Sequence, residues 1–291
     1  MNVGWFGIGS GLAADAEGVA EVAAAAEDLG YESVWVGEHP VLIDPQAPPS
    51  PLAPTSEMLD PVPTLAYVAA RTGRIRLGTG IIILPLRQPL ILAKQLASVD
   101  VLSGGRLIVG IGVGYVPGEY EAIDVPFRTR GERADEYIEA MRSVWCDEHP
   151  HYDGATVGFS GIQCYPRPLQ PGGPPIHGSG MSRAARRRSV TMAQGWYGFY
   201  LDLERTAEAI AELAELEREH GRPAELGPLE ITITPPAGPI DAATAAAYED
   251  LGVHRLVLSR DFADLAGAPD PERRGELLRE MERTAAELHL S

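Results

Sequence analysis

Short apolar segments alternate with amphipathic helical segments along almost the whole chain. Segments that are apolar on both faces are typical of strands in a parallel sheet, because helices cover such a sheet on both sides. The strand-like segments are residues 3–8, 33–37, 75–84, 107–111, 175–178, 196–200, 229–234 and 255–259. The helical segments lie near residues 15–29, 62–72, 89–102, 131–146, 182–193, 203–220, 241–250 and 272–289.

Roughly eight strand–helix units in a chain of 291 residues predict an α/β fold of the closed (β/α)8 TIM barrel type. A doubly wound sheet is the alternative, and periodicity alone does not exclude it. We expect a single domain over residues 1–291.

Two segments interrupt the alternation. Residues 40–63 contain eight prolines and follow the second strand, so we expect neither a helix nor an inner strand there. In a barrel this loop lies at the active face, either as a lid or as an ordered surface loop without function. Residues 149–174 contain the turn signal Tyr152-Asp153-Gly154, which predicts a hairpin inserted before the fifth strand.

Charge and composition limit the partners. The formal charge of −17 makes duplex nucleic acid and anionic membrane surfaces unfavourable partners. No apolar stretch approaches the roughly 18 residues of a membrane-spanning helix, and no basic residue precedes Arg71, so we expect no signal peptide. Cys146 and Cys164 lack metal-ligand spacing and are interpreted as reduced thiols. These features predict a cytoplasmic protein without a metal whose partner is a small molecule.

Candidate site residues lie where the predicted strands end, because barrel enzymes build their sites at the carboxyl ends of the strands. They occur in Glu38-His39, Gly78-Thr79-Gly80-Ile81, Gly112-Val113-Gly114-Tyr115 and His177-Gly178-Ser179-Gly180. His39 is a candidate acid, base or hydrogen-bond donor because a histidine titrates near neutrality, although a lone histidine is as often structural.

The turn at residues 178–180 leads into a helix that opens with Met181-Ser182-Arg183. A glycine-rich turn before a helix exposes free N–H groups and the positive end of the helix dipole, which favours a phosphate. Arginines at positions 183, 186, 187 and 188 add positive charge. The alternative is that Ser182 only caps the helix and that the arginines form a solvated face.

Taken in order, these segments resemble the bacterial luciferase-like flavin and deazaflavin oxidoreductases, and most of all the compact actinobacterial members predicted to use coenzyme F420. The resemblance is carried by residues 30–39, 76–80, 89–95, 100–114, 178–183 and 195–196. The most specific part is Asp-Val-Leu-Ser-Gly-Gly-Arg-Leu at 100–107 with the glycines that follow it.

The resemblance implies a (β/α)8 barrel with the cofactor ring in its mouth and a non-prolyl cis peptide bond at Gly80–Ile81 behind the ring. It implies proton handling by His39, with Glu38 and Tyr115 as the other catalytic candidates. The cofactor contacts that it implies are Glu38, His39, Thr79, Gly80, Ile81, Val113, Gly114, Gly178, Ser179, Gly180, Met181, Ser182 and Arg183.

The implied activity is hydride transfer between F420 and a small organic substrate. Tyr115 stands where the related sugar-phosphate dehydrogenases carry a glutamate, and a tyrosine titrates at about pH 10, which argues against that particular reaction. Glu119 cannot be assumed to replace that glutamate.

Three alternatives remain open: an FMN-dependent monooxygenase that uses O2, a cofactor-binding protein without turnover, and a sugar-phosphate isomerase, which leaves Gly78-Thr79-Gly80 unexplained. The resemblance also implies a homodimer. Leu92, Leu96 and Val99 recur at helical spacing, which fits either a dimer contact or packing against the barrel.

Overall fold

The computed structural model describes residues 1–290 and contains a closed barrel of parallel strands. The strands are β1 Asn2–Phe6, β2 Ser33–Val36, β3 Arg76–Thr79, β4 Ile82–Ile83, β5 Leu107–Gly112, β6 Tyr152–Asp153, β7 Gly158–Phe159, β8 Ile176–Ser179, β9 Gly195–Phe199, β10 Glu230–Thr234 and β11 Arg255–Leu258. The helices are α1 Ala16–Asp28, α2 Pro61–Arg71, α3 Pro89–Ser103, α4 Pro117–Ala122, α5 Arg130–Cys146, α6 Arg183–Met192, α7 Leu203–His220, α8 Ala242–Asp250, α9 Phe262–Leu265 and α10 Pro271–Glu287.

The barrel closes between its third and fourth strands. β3 pairs with both β2 and β5, so the sheet has no free edge there. β3 and β4 are two parts of one barrel strand, since both pair with β5. The (β/α)8 prediction is therefore confirmed, and a doubly wound sheet, which has two open edges, is excluded. The peptide bond Gly80–Ile81 between β3 and β4 is cis, as the resemblance implied.

All eight predicted helices are present, and two short helices, α4 and α9, add to them. The predicted hairpin is also confirmed, since β6 and β7 form an antiparallel pair between α5 and β8. The proline-rich segment has no helix or strand over residues 40–60, apart from an isolated bridge from Met58 to Ser10. The expectation of no helix was wrong for residues 61–63, which form the first turn of α2. Prolines are tolerated there because the N–H groups of a first turn have no acceptor within the helix, so their loss removes no helical hydrogen bond.

Helix α3 packs its apolar side against the barrel. Leu92, Leu96 and Val99 are buried, so the barrel-packing interpretation holds for these three residues. Ile91 and Leu102 on the same helix are exposed instead. Within residues 1–290, the helices are all too short or too polar to cross a lipid bilayer.

Candidate active site

A cavity of about 520 Å³ lies at the carboxyl ends of the barrel strands. Its size is typical of a small-molecule site. Predicted site residues that line it are Glu38, His39, Gly80, Ile81, Val113, Gly114, Tyr115, Ser179, Gly180, Met181 and Ser182. A larger groove of about 850 Å³ between the loop after β10 and α10 contains none of the predicted residues. We therefore take the cavity in the barrel mouth as the candidate site.

Three residues predicted to contact a cofactor do not line this cavity. Thr79 is buried, and its hydroxyl donates to the Gly110 carbonyl at 2.7 Å. Gly178 is buried under α6, where a Cβ atom would come within 2.3 Å of Ser189 Oγ. Arg183 reaches away to α7, and its guanidinium lies 2.6 Å from the Glu219 carboxylate. These three residues lie outside the cavity lining because they are engaged in the barrel wall or with the neighbouring helix, and their contact with a cofactor stays a prediction.

His39 forms a pair with a carboxylate that the sequence did not assign to it. His39 Nδ1 lies 2.8 Å from Oε1 of Glu119 on α4. Glu119 is 1% exposed, and its Oε2 is buried without a hydrogen-bond partner among the described residues. Because Nδ1 is engaged, Nε2 is the ring nitrogen that remains for a molecule in the cavity. The Tyr115 ring stands edge-on to His39 with 6.1 Å between centroids.

Tyr115 lies at the rim of the cavity. Its ring is half exposed, yet partial desolvation and the Glu119 carboxylate both raise the pKa of Tyr115 above its usual value. The phenol therefore stays protonated at neutral pH. In that state it can donate a hydrogen bond, but it is a poor proton acceptor.

Glu38 is buried and fully engaged by its neighbours. One carboxylate oxygen pairs with the Arg87 guanidinium, and the other accepts the Ile83 N–H at 2.5 Å. Arg87 also contacts Asp60, the residue that caps α2, at 2.6 Å. Burial raises the pKa of Glu38, while the Arg87 charge and the Ile83 N–H oppose that rise. Glu38 thus shapes the cavity and anchors the proline-rich loop, and we do not assign it a proton-transfer role.

The turn after β8 has the features of an anion site. Ser182 caps α6 by accepting the Ala185 N–H at 3.2 Å, so the first turn of α6 opens at the cavity. Gly180 has φ +129°, and a Cβ atom there would come within 2.8 Å of the Ala185 Cβ. Only glycine fits this turn without strain.

Arg130 brings a positive charge to the same cavity. Its Nε is buried and has no hydrogen-bond partner within residues 1–290. The start of α5 lies beside α6, because Arg188 donates to the Gly131 carbonyl at 2.9 Å. A guanidinium and a helix N-terminus therefore line one cavity, which suits a phosphate.

The arginines of α6 are not the source of that charge. Arg186 pairs with Glu212 and Arg188 with Asp135, so both neutralise acidic neighbours. Sequence reasoning missed Arg130, Arg87 and Glu119 as site residues. No pattern separates Arg130 from the exposed Arg128, whereas Pro117 was a usable signal for the start of α4.

Comparisons with known proteins show the family to which the chain belongs. The sequence model of the luciferase-like monooxygenase family matches residues 1–290. An uncharacterized protein of Mycobacterium tuberculosis is 34% identical over 192 residues, which cover 62% of this chain and 67% of the relative. The oxygenase component of a flavin-dependent trigonelline monooxygenase from Acinetobacter baylyi is 33% identical over 159 residues, covering 54% of this chain and 41% of that protein.

The fold is also similar to that of a solved structure with a bound deazaflavin. An F420-dependent secondary alcohol dehydrogenase in complex with an F420–acetone adduct superposes with a TM-score of 0.78 and 15% identity, over 99% of this chain and 98% of that one. At this identity the likeness shows the fold alone. The family match over nearly the whole chain is what decides the assignment. The chain belongs to the luciferase-like monooxygenase family.

Proposed function

We propose that this protein is an oxidoreductase that transfers a hydride between coenzyme F420 and a small organic substrate. The observation that carries the proposal is His39, which lines the cavity with Glu119 buried behind it on Nδ1, together with the features of an anion site in the same cavity. The fold shared with an F420-dependent alcohol dehydrogenase and the family membership support it.

The residues of the cavity fit a flat ring with a phosphate on its tail. Glycines at 80 and 114 keep the lining free of side chains. A Cβ atom on Gly80 would come within 2.8 Å of the Tyr197 ring, and one on Gly114 within 2.8 Å of Ile83. Gly80, Ile81, Val113 and Gly114 would hold the ring. Ser179, Gly180, Met181, Ser182 and Arg130 would hold the phosphate.

When bound, F420 exchanges a hydride at a carbon atom of its ring and, unlike a flavin, reacts poorly with O2. A substrate whose reacting carbon bears an oxygen must also lose a proton when it is oxidised, or gain one when it is reduced. His39 Nε2 would accept or return that proton. The Glu119 carboxylate on Nδ1 would fix the orientation of the ring. Tyr115 would donate a hydrogen bond at the rim.

An FMN-dependent monooxygenase is the second candidate, and the identity to the flavin-dependent trigonelline monooxygenase favours it. The anion site suits either cofactor because both carry a phosphate on the tail of a flat ring. The two proposals differ in the ring that the cavity prefers.

Separate titrations of the purified protein with F420 and with FMN, followed by quenching of cofactor fluorescence, decide between them. We expect F420 to bind at least about tenfold more tightly than FMN, a difference of about 1.4 kcal/mol. Tight FMN binding without a response to F420 would overturn the proposal in favour of the monooxygenase.

Replacement of His39 by Ala tests turnover. We expect the rate of F420 reduction by a secondary alcohol to fall by about 10²- to 10⁴-fold, because a positioned general base is lost. His220→Ala is the matched control, since His220 also lies beside a glutamate but is exposed on α7. An unchanged rate in His39→Ala would indicate a protein that binds the cofactor without using this histidine.

A further inference from the structure

The side of the cavity formed by β1, β9 and β11 has an apolar surface. Phe6 and Phe199 come from the ends of β1 and β9, and Phe262 and Leu265 come from α9 after β11. Leu52 and Met58 of the proline-rich segment complete this surface, which we call the apolar wall. In the barrel order, β1 and β11 lie opposite β8 and β5, whereas β9, which contributes Phe199, is the direct neighbour of β8.

A row of packed aromatic rings holds the apolar wall in place. The Phe6 and Phe199 ring centroids are 5.0 Å apart, and those of Phe199 and Tyr200 are 4.5 Å apart. Tyr200 stacks on Phe262 with 5.1 Å between centroids and 16° between planes. Aromatic pairs at these distances attract one another. Phe262 is therefore a fixed surface of the cavity even though it is 43% exposed.

Tyr200 has a conformation that is uncommon for a residue other than glycine. Its φ is +55°, in the left-handed region. The Tyr200 hydroxyl donates to the Arg260 carbonyl at 2.9 Å, which fixes the ring under Phe262. A non-glycine residue in this region is a reason to look for a functional constraint. Here the constraint is the placement of the ring that supports Phe262.

Glu38 is already neutralised by Arg87, and Arg130 stands at the start of α5, which lies beside α6. The Tyr197 hydroxyl at the cavity floor is paired with Thr234 Oγ1 at 2.7 Å, and Ser10 adds a small hydroxyl. An anion placed against this wall would lose its hydration without gaining a cationic partner. An uncharged molecule would bury apolar surface there at no such cost.

We infer that the apolar wall binds the organic substrate and selects an uncharged molecule with an aromatic or branched aliphatic body. This inference rests on the proposed function, because it places the reacting polar group toward His39 and the apolar body against Phe262. By the same argument, a sugar phosphate or a carboxylate of similar size binds more weakly. The substrate specificity of this protein would then arise from contacts with the aromatic ring on α9 rather than from ion pairs.

Acetophenone and benzoate test the inference, because both have nine non-hydrogen atoms and a phenyl ring but only benzoate is charged. Calorimetric titration of the F420-loaded protein should give a dissociation constant for acetophenone at least about tenfold below that for benzoate. Phe262→Ala should weaken acetophenone binding about tenfold through lost ring contact. Tyr165→Ala is the control, since Tyr165 is an exposed aromatic residue that does not line the cavity.

Phe262→Lys gives a readout of opposite sign. A cation on the wall should tighten benzoate binding about tenfold and weaken acetophenone binding, and this gain does not arise from misfolding. Equal affinity for both probes in the unaltered protein, or no response to either Phe262 variant, would overturn the inference. Titration of the same samples with the cofactors distinguishes failure of the proposed function from failure of the inference about the apolar wall. If neither F420 nor FMN binds, the proposed function fails, and the same probe comparison on the protein without cofactor still tests the apolar wall.

Discussion

Removal of the Arg87 charge should destabilise the protein in a strongly pH-dependent way. Arg87→Met leaves the Glu38 carboxylate buried beside the Ile83 N–H without its cation. Removing one partner of a buried ion pair typically costs about 3–5 kcal/mol. Glu38 can limit that loss by taking up a proton in the folded state, so the cost of protonation sets a ceiling on the destabilisation.

The maximum destabilisation follows from the coupling between protonation of Glu38 and folding. With an unfolded-state glutamate pKa of about 4.3, holding the carboxyl protonated costs about 3.7 kcal/mol at pH 7 and about 1 kcal/mol at pH 5. Burial already raises the pKa of Glu38, and loss of the Arg87 charge raises it further. A carboxyl whose folded pKa is raised favours the folded state at low pH and loses that contribution as pH rises through the folded pKa. Arg87→Met should therefore be less stable by up to about 3.7 kcal/mol at pH 7 but by no more than about 1 kcal/mol at pH 5.

Urea unfolding followed by tryptophan fluorescence at pH 5, 6 and 7 measures this difference. The double variant Arg87→Met/Glu38→Gln should recover most of the loss at pH 7, because no buried charge remains. Arg187→Met is the matched control, since Arg187 is exposed on α6, and it should change stability by less than about 0.5 kcal/mol. Equal destabilisation of Arg87→Met at pH 5 and pH 7 would refute the reasoning, because Glu38 would then not be its source.

Three further outcomes follow from the same geometry. Glu119→Gln should lower kcat for F420-linked alcohol oxidation about 10- to 100-fold, the equivalent of a charged hydrogen bond of about 1.5–3 kcal/mol. Glu119→Gln should not lower kcat further in a protein that already carries His39→Ala. If the two substitutions instead lower kcat by the product of their separate effects, Glu119 does not act through His39. Arg130→Met should weaken cofactor binding about tenfold in a fluorescence titration, whereas the exposed neighbour variant Arg128→Met should not, and equal losses would argue for a general charge effect. We propose that a second copy of the chain covers the outer face of α3, where Leu102 is 68% exposed. Light scattering should then show a dimer that Leu102→Glu dissociates, and an unaltered monomer would contradict the proposal.

The strands and long helices could be predicted from the sequence, because the strands are apolar segments and the helices repeat apolar residues along the side that packs on the barrel. Helices α4 and α9 were missed, since six and four residues are too few to repeat a helical period. The direction of a side chain after a strand end is harder still to read. Thr79 and Arg183 were expected at the cofactor and face elsewhere, while Arg130 lines the cavity without any local signal. Such positions depend on how α5, α6 and α7 pack around the barrel, which sequence spacing does not contain.

The structure changes how the tyrosine at position 115, after β5, is interpreted. Tyr115 stands where the related sugar-phosphate dehydrogenases carry a glutamate, so the sequence alone indicates a site without that particular acid. One turn further on, α4 brings Glu119 back against His39 Nδ1 at 2.8 Å. The carboxylate is therefore present but serves a different purpose, because it is buried behind the histidine and does not line the cavity. A carboxylate in that position can orient His39, but it cannot protonate a substrate directly. In the proposed function the proton would then pass through His39, so we propose that turnover depends on this histidine.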